Sequence, residues 1–172
     1  MTANPKTMEY LKRSAETLAV RGAFHNGREF RPTQGDAIHA YQDFLNREDL
    51  TPEQKLKGFF EIPTGVGKTA VFLALLDEAH RIARAENDTL RVMIVVPTIP
   101  ILEQMEEEVT EWAPDYLETV GFYGGRSRKM GDELTVITYD SWVAKMEAGE
   151  IDSTNVDKIG RASCRERVCL YV

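Results

Sequence analysis

Residues 59–76 constrain this chain more than any other stretch. Phe59-Phe60-Glu61-Ile62 runs apolar into Pro63-Thr64-Gly65-Val66-Gly67-Lys68-Thr69, and a helix-forming apolar run, Ala70 to Leu76, follows at once. Strand, Gly-rich turn and helix in that order read as a phosphate-binding loop (P-loop). Gly65 and Gly67 lack a Cβ, so the backbone can curl until its N–H groups converge on phosphate oxygens, and the next helix adds the positive end of its dipole. Lys68 then reaches the β and γ phosphates of a nucleotide, and the Thr69 hydroxyl holds Mg²⁺. The general P-loop pattern places a further Gly where this sequence has Ile62.

Periodicity around this stretch alternates. Apolar residues at 8, 11, 15, 18 and 19 predict an N-terminal helix, and Ala37, Ile38, Tyr41 and Leu45 a second one over 35–45. Thr51-Pro52-Glu53-Gln54 reads as a capped helix start. Residues 58–62 predict the strand that enters the loop, and the helix after it runs to about Glu86. The β-branched run 91–96 predicts a strand buried on both faces and ended by Pro97. A helix over 101–112, strands over 119–123 and 134–138, and a helix over 141–148 complete the pattern. Strands alternating with helices imply a parallel sheet covered on both faces.

Pro63 to Thr69 resembles motif I of the superfamily 2 helicases and translocases, whose loop reads Pro-Thr-Gly-x-Gly-Lys-Thr and does without the first Gly. Arg31-Pro32-Thr33-Gln34 resembles that superfamily's adenine-recognition element, which makes Gln34 the candidate for the base and Phe30 its possible neighbour. An amide offers a donor and an acceptor together, as the adenine edge requires. Read from the residues alone, Gln34 is equally a solvent-facing residue at a helix start. Val95-Val96-Pro97-Thr98 resembles motif Ia on the nucleic-acid face, implicating Pro97 and Thr98; the alternative for Thr98 is a helix cap. Gly124-Gly125 and Val136-Ile137-Thr138-Tyr139 resemble the later nucleic-acid motifs, implicating Gly124, Gly125 and Thr138.

The resemblance spans residues 30–157 and leans toward the type III restriction enzyme-like group. It implies an α/β P-loop NTPase (RecA-like) three-layer sandwich, ATP with Mg²⁺ as cofactors, a nucleic-acid partner with DNA favoured over RNA, and a second RecA-like domain. The rival readings are a P-loop kinase or GTPase, although no Asn-Lys-x-Asp guanine motif is present, and a nucleotide-binding module without turnover. Asp77-Glu78-Ala79-His80 spells the tetrapeptide that names many of these helicases. It follows Thr69 on one helix, so Asp77 lies about 12 Å further along the axis. The expectation is therefore surface charge, not the acidic Walker B box.

Net charge is −7, which argues against bulk attraction to nucleic acid, and the dense basic cluster Arg126-Ser127-Arg128-Lys129 reads as a solvated loop. No apolar run reaches the roughly 18 residues of a membrane span, so the expected location is cytoplasmic with no membrane partner. Both cysteines, Cys164 and Cys169, fall in a distinctive tail. Residues 159–168 back-translate as ATC GGA AGA GCG TCG TGT AGG GAA AGA GTG, which resembles a short-read sequencing adapter. The expected organisation is a helical extension over 1–29, a first RecA-like ATP-binding domain over 30–158 cut before Walker B, and a non-native tail over 159–172. Without that tail the net charge moves from −7 to −9. With no complete catalytic set, the chain by itself is expected not to hydrolyse ATP.

Overall fold

A computed structural model describes residues 5–56, 59–61, 67–113, 116, 118–151, 158–162 and 167–171. The run after Thr69 forms a helix, α4 (Lys68–Ala85), whose residues 70–80 are all buried. A helix buried on every side has to be covered on several sides. Helix α1 (Pro5–Arg21) brings Leu11, Ala15 and Leu18 to it, and α2 (Pro32–Asn46) brings Ala37, Ile38 and Leu45, all in one hydrophobic core. Polar contacts fix the register of α1: the Ser14 hydroxyl donates to the Leu75 carbonyl at 2.6 Å and Tyr10 Oη donates to Asp88 at 2.7 Å. The residues expected as a helical extension pack into the same core as the P-loop helix.

Helix starts follow their proline chemistry. The second helix begins at Pro32, earlier than its apolar spacing indicates, because Pro presets φ at the first helical position. The short α3 (Pro52–Leu56) is closed reciprocally, Thr51 N donating to Gln54 Oε1 at 2.8 Å and Gln54 N to Thr51 Oγ1 at 3.3 Å. Helix α5 (Ile99–Trp112) has Pro100 in its first turn, and α6 (Tyr139–Glu147) begins directly after a strand.

Among the described residues seven strands form one sheet: β1 (Phe59–Glu61), β2 (Val92–Val96), β3 (Val120–Gly124), β4 (Ser127–Arg128), β5 (Leu134–Thr138), β6 (Lys158–Ala162) and β7 (Arg167–Tyr171). Their order is β1-β7-β6-β2-β5-β3-β4. Strands β6, β2, β5 and β3 run parallel. Every residue of β2 is buried. Val92, Ile94 and Val96 enter the core that holds α4 and α5, whereas Met93 and Val95 meet Ile137, Trp142 and Met146 on the α6 side. Helices therefore cover both faces, as expected of a three-layer sandwich.

Two strands depart from the all-parallel expectation. A two-residue loop returns β4 antiparallel on β3, and β7 lies antiparallel between β6 and β1. Residues 158–162 and 167–171, the first of which overlaps and the second of which lies within the tail set aside on sequence grounds, thus sit inside the sheet. Backbone ladders are formed by N–H and C=O groups common to all residues, so an open strand edge accepts an extended segment with little regard to its side chains.

Candidate nucleotide and nucleic-acid site

The candidate phosphate site lies at the start of α4. Gly67 is the N-cap of that helix at φ 82, ψ 49, a left-handed conformation that L side chains rarely adopt. A glycine cap has no side chain to occupy the first N–H groups of the helix, which leaves them to a ligand. Lys68 and Thr69 follow in the first turn, both partly exposed. Pro63, Thr64, Gly65 and Val66 lie outside the described residues.

The sheet and helices bring Gln34 to this point. It is buried on α2, its Oε1 accepts from Arg31 N at 2.9 Å, and a Cβ at Gly67 would lie only 2.7 Å from its Nε2. Gln34 is therefore not solvent-facing; its amide abuts the end of the phosphate loop. Phe30 is partly buried and packs edge-on against Phe24, with ring centroids 4.6 Å apart. These residues fit a nucleotide: uncapped helix N–H groups and a lysine at the helix start would meet phosphates, and an amide stands beside them. Thr69 would offer one hydroxyl to a Mg²⁺ ion. Among the described residues no group of three or more His, Cys, Asp or Glu side chains could hold a metal by itself.

The nucleic-acid candidates gather at the carboxyl ends of the parallel strands. Thr98 caps α5, exposed, with no side-chain cap bond, so the capping alternative does not account for its hydroxyl. Gly125 lies against Ile99, the first residue of α5, at 3.1 Å from where its Cβ would be. Gly124 lies against Thr138, whose Cγ2 would be 2.6 Å from a Cβ there. Thr138 is buried and donates its hydroxyl to Ser141 Oγ at 2.9 Å. The exposed group beside it is Tyr139, which with Val95, Val96 and Pro97 lines a hollow of about 190 Å³. Tyr139 closes the Val136-Ile137-Thr138-Tyr139 motif without being among its candidate contacts, and Ser141 was not singled out in the sequence.

Asp77-Glu78-Ala79-His80 is not surface charge. Asp77 and Glu78 are buried on α4 and paired with Arg81 at 3.1 Å and Arg21 at 2.7 Å. α1 lies on the face expected to be open to solvent, so the carboxylates are covered and need partners. His80 is completely buried: Nε2 lies 2.8 Å from the Leu90 carbonyl, and the Tyr116 hydroxyl bonds to Nδ1. Nδ1 also lies 2.8 Å from the Leu76 carbonyl, and a neutral ring donates to only one of the two carbonyls. Burial pushes the His80 imidazolium pKa down, and the Tyr116 phenol well up. This tetrapeptide is a packing element, and it sits in mid-helix, away from the phosphates.

A three-layer α/β fold, an uncapped helix start carrying Gly-Lys-Thr and a glutamine seated on it define an ATP-binding domain of the superfamily 2 helicase kind. The chain belongs to the family described as type III restriction enzyme, res subunit, which matches residues 28–160. Among solved structures, it is similar in fold to the UvsW helicase from bacteriophage T4, at 18% identity and a TM-score of 0.51, over 77% of this chain and 44% of that one. It spans less than half of that helicase. No curated protein matches the sequence. The kinase or GTPase alternative is not favoured.

Proposed function

We propose that this chain binds MgATP at the start of α4, with Gln34 reading the adenine, Lys68 on the β and γ phosphates and Thr69 on Mg²⁺, as part of a cytoplasmic, nucleic-acid-dependent ATPase. Pro63, Thr64, Gly65 and Val66 complete the loop in this reading. The observation that carries it is the contact between Gln34 and Gly67, residues distant in sequence whose types suit base and phosphate respectively. Single-stranded nucleic acid, DNA in preference to RNA, runs over the carboxyl edge at Pro97, Thr98, Gly124, Gly125 and Thr138. Helix N-termini and hydroxyls there suit phosphate contacts that carry no sequence information.

The chain alone supplies binding without efficient turnover. Hydrolysis requires carboxylates that position Mg²⁺ and water, and charge stabilisation from across the cleft. Asp77 and Glu78 are committed to Arg81 and Arg21 and do not serve. In this reading a second RecA-like domain supplies that stabilisation from across the cleft. The test is thermal stabilisation by MgATP against MgGTP. Wild type is expected to favour ATP, and Gln34→Ala to lose the preference while keeping phosphate-driven binding. Equal preference in the two proteins would remove Gln34 from base recognition.

A further inference from the structure

The basic cluster expected to be a solvated loop is instead the tip of a hairpin, built at the same edge as the nucleic-acid candidates. Gly125 and Arg126 form the two-residue loop between β3 and β4, with Gly125 at φ 54, a position where positive φ selects glycine. Pairing of Gly124 with Ser127 and of Tyr123 with Arg128 fixes the hairpin's register. Because Gly125 packs on Ile99, the tip stands beside the start of α5 and the exposed Thr98. Arg126, Arg128 and Lys129 are all exposed.

Their electrostatic situation differs from that of six arginines elsewhere on the chain. Arg13, Arg21, Arg28, Arg47, Arg81 and Arg84 each pair with a carboxylate. Among the described residues, the three hairpin cations have no carboxylate partner. Arg128 lies over the Tyr123 ring, 5.3 Å from its centroid, and donates to its neighbour's carbonyl, Ser127 O. Lys129 donates to Glu118 O at 3.3 Å. Lys145 lies 4.4 Å from the same Tyr123 ring, so the aromatic group is flanked by two cations. In a chain of net charge −7, three unneutralised cations concentrated on one rigid turn make a local positive patch facing an expected polyanion path.

We propose that the β3–β4 hairpin is a phosphate-backbone clamp, in which Arg126, Arg128 and Lys129 extend the carboxyl-edge track and grip a single strand without reading its sequence. The proposal rests on the nucleic-acid reading given above. Arg128, stacked on Tyr123, is pre-positioned and loses less freedom on binding than a free arginine. Each phosphate neutralised on a single strand contributes about 0.7 to the slope of log K against log salt, so three contacts contribute about 2.

The experiment measures fluorescence anisotropy of labelled oligo-dT and oligo-rU with the full chain across a salt series. The variants are Arg126→Gln alone, and Arg126→Gln/Arg128→Gln/Lys129→Gln together, checked for unchanged far-UV circular dichroism and melting. The triple variant is expected to lose about 2 units of slope and Arg126→Gln about 0.7. Thr98→Ala, which removes a neutral hydroxyl, is expected to weaken binding at constant slope. Binding by wild type with the slope preserved in Arg126→Gln and in the triple variant overturns the clamp while leaving the carboxyl-edge reading intact. Failure of wild type to bind either strand overturns both.

Discussion

Gly67→Ala probes the contact on which the nucleotide site depends. At φ 82 an alanine would be held in a left-handed conformation costing about 1–2 kcal/mol. Its Cβ would also lie 2.7 Å from Gln34 Nε2. The Gln34 amide is the end of a flexible side chain and can move, but it is buried, and moving it breaks the bond it accepts from Arg31 N, a loss of about 0.5–1.5 kcal/mol. The sum is roughly 2–3 kcal/mol, which in a chain of this size lowers the melting temperature by roughly 5–10 °C. Differential scanning fluorimetry measures this directly. Gln34→Ala removes the clashing group in advance, so the double variant is expected to cost about 1 kcal/mol less than the two single changes added together. Strict additivity, or a Gly67→Ala melting temperature equal to wild type, would refute the idea that the two residues share a site.

Two further outcomes concern the mid-helix tetrapeptide. Glu78→Gln leaves Arg21 without its partner across α1 and α4 and is expected to destabilise by about 1–2 kcal/mol in chemical denaturation, discounted for the partial exposure of Arg21, with MgATP affinity unchanged; a loss of nucleotide binding without loss of stability would place Glu78 in the site after all. Burial holds His80 below the ordinary value of 6.5, so between that lowered pKa and 6.5 the unfolded chain takes up a proton that the folded chain refuses. Stability is therefore expected to fall as pH drops from 6.5, and His80→Gln to flatten that decline; the same slope in both proteins would show that His80 is not its source.

Much of the fold was legible because its signals are local. The apolar periods of α1 and α2, the β-branched run of β2 and the Gly-Lys-Thr start of α4 each follow from short-range rules, and the structure shows each of them. What was hidden required knowing which elements meet. Asp77 and Glu78 look solvent-facing until α1 is laid on α4, and nothing within the helix announces Arg21. Arg126-Ser127-Arg128-Lys129 looks like a loop because two residues are too few to show alternation, although Gly124-Gly125 marks the turn that makes the hairpin. The seating of Gln34 on Gly67 is likewise tertiary: its residue type suggested a role, and only packing of α2 beside α4 brings the amide to the loop.

The central claim is that the start of α4 holds nucleotide phosphates, and calorimetric titration of MgATP into the wild-type chain and its Lys68→Ala variant tests it most directly. Lys68 is only partly buried, so its truncation is expected to leave melting within about 1 °C of wild type, since surface changes away from special features stay within about 0.5 kcal/mol. Loss of a charge-assisted phosphate contact is expected to weaken affinity by about 10-fold or more. Saturable MgATP binding by wild type that is lost or strongly weakened in a well-folded Lys68→Ala protein is the predicted result. Equal affinity in the two proteins would contradict the site.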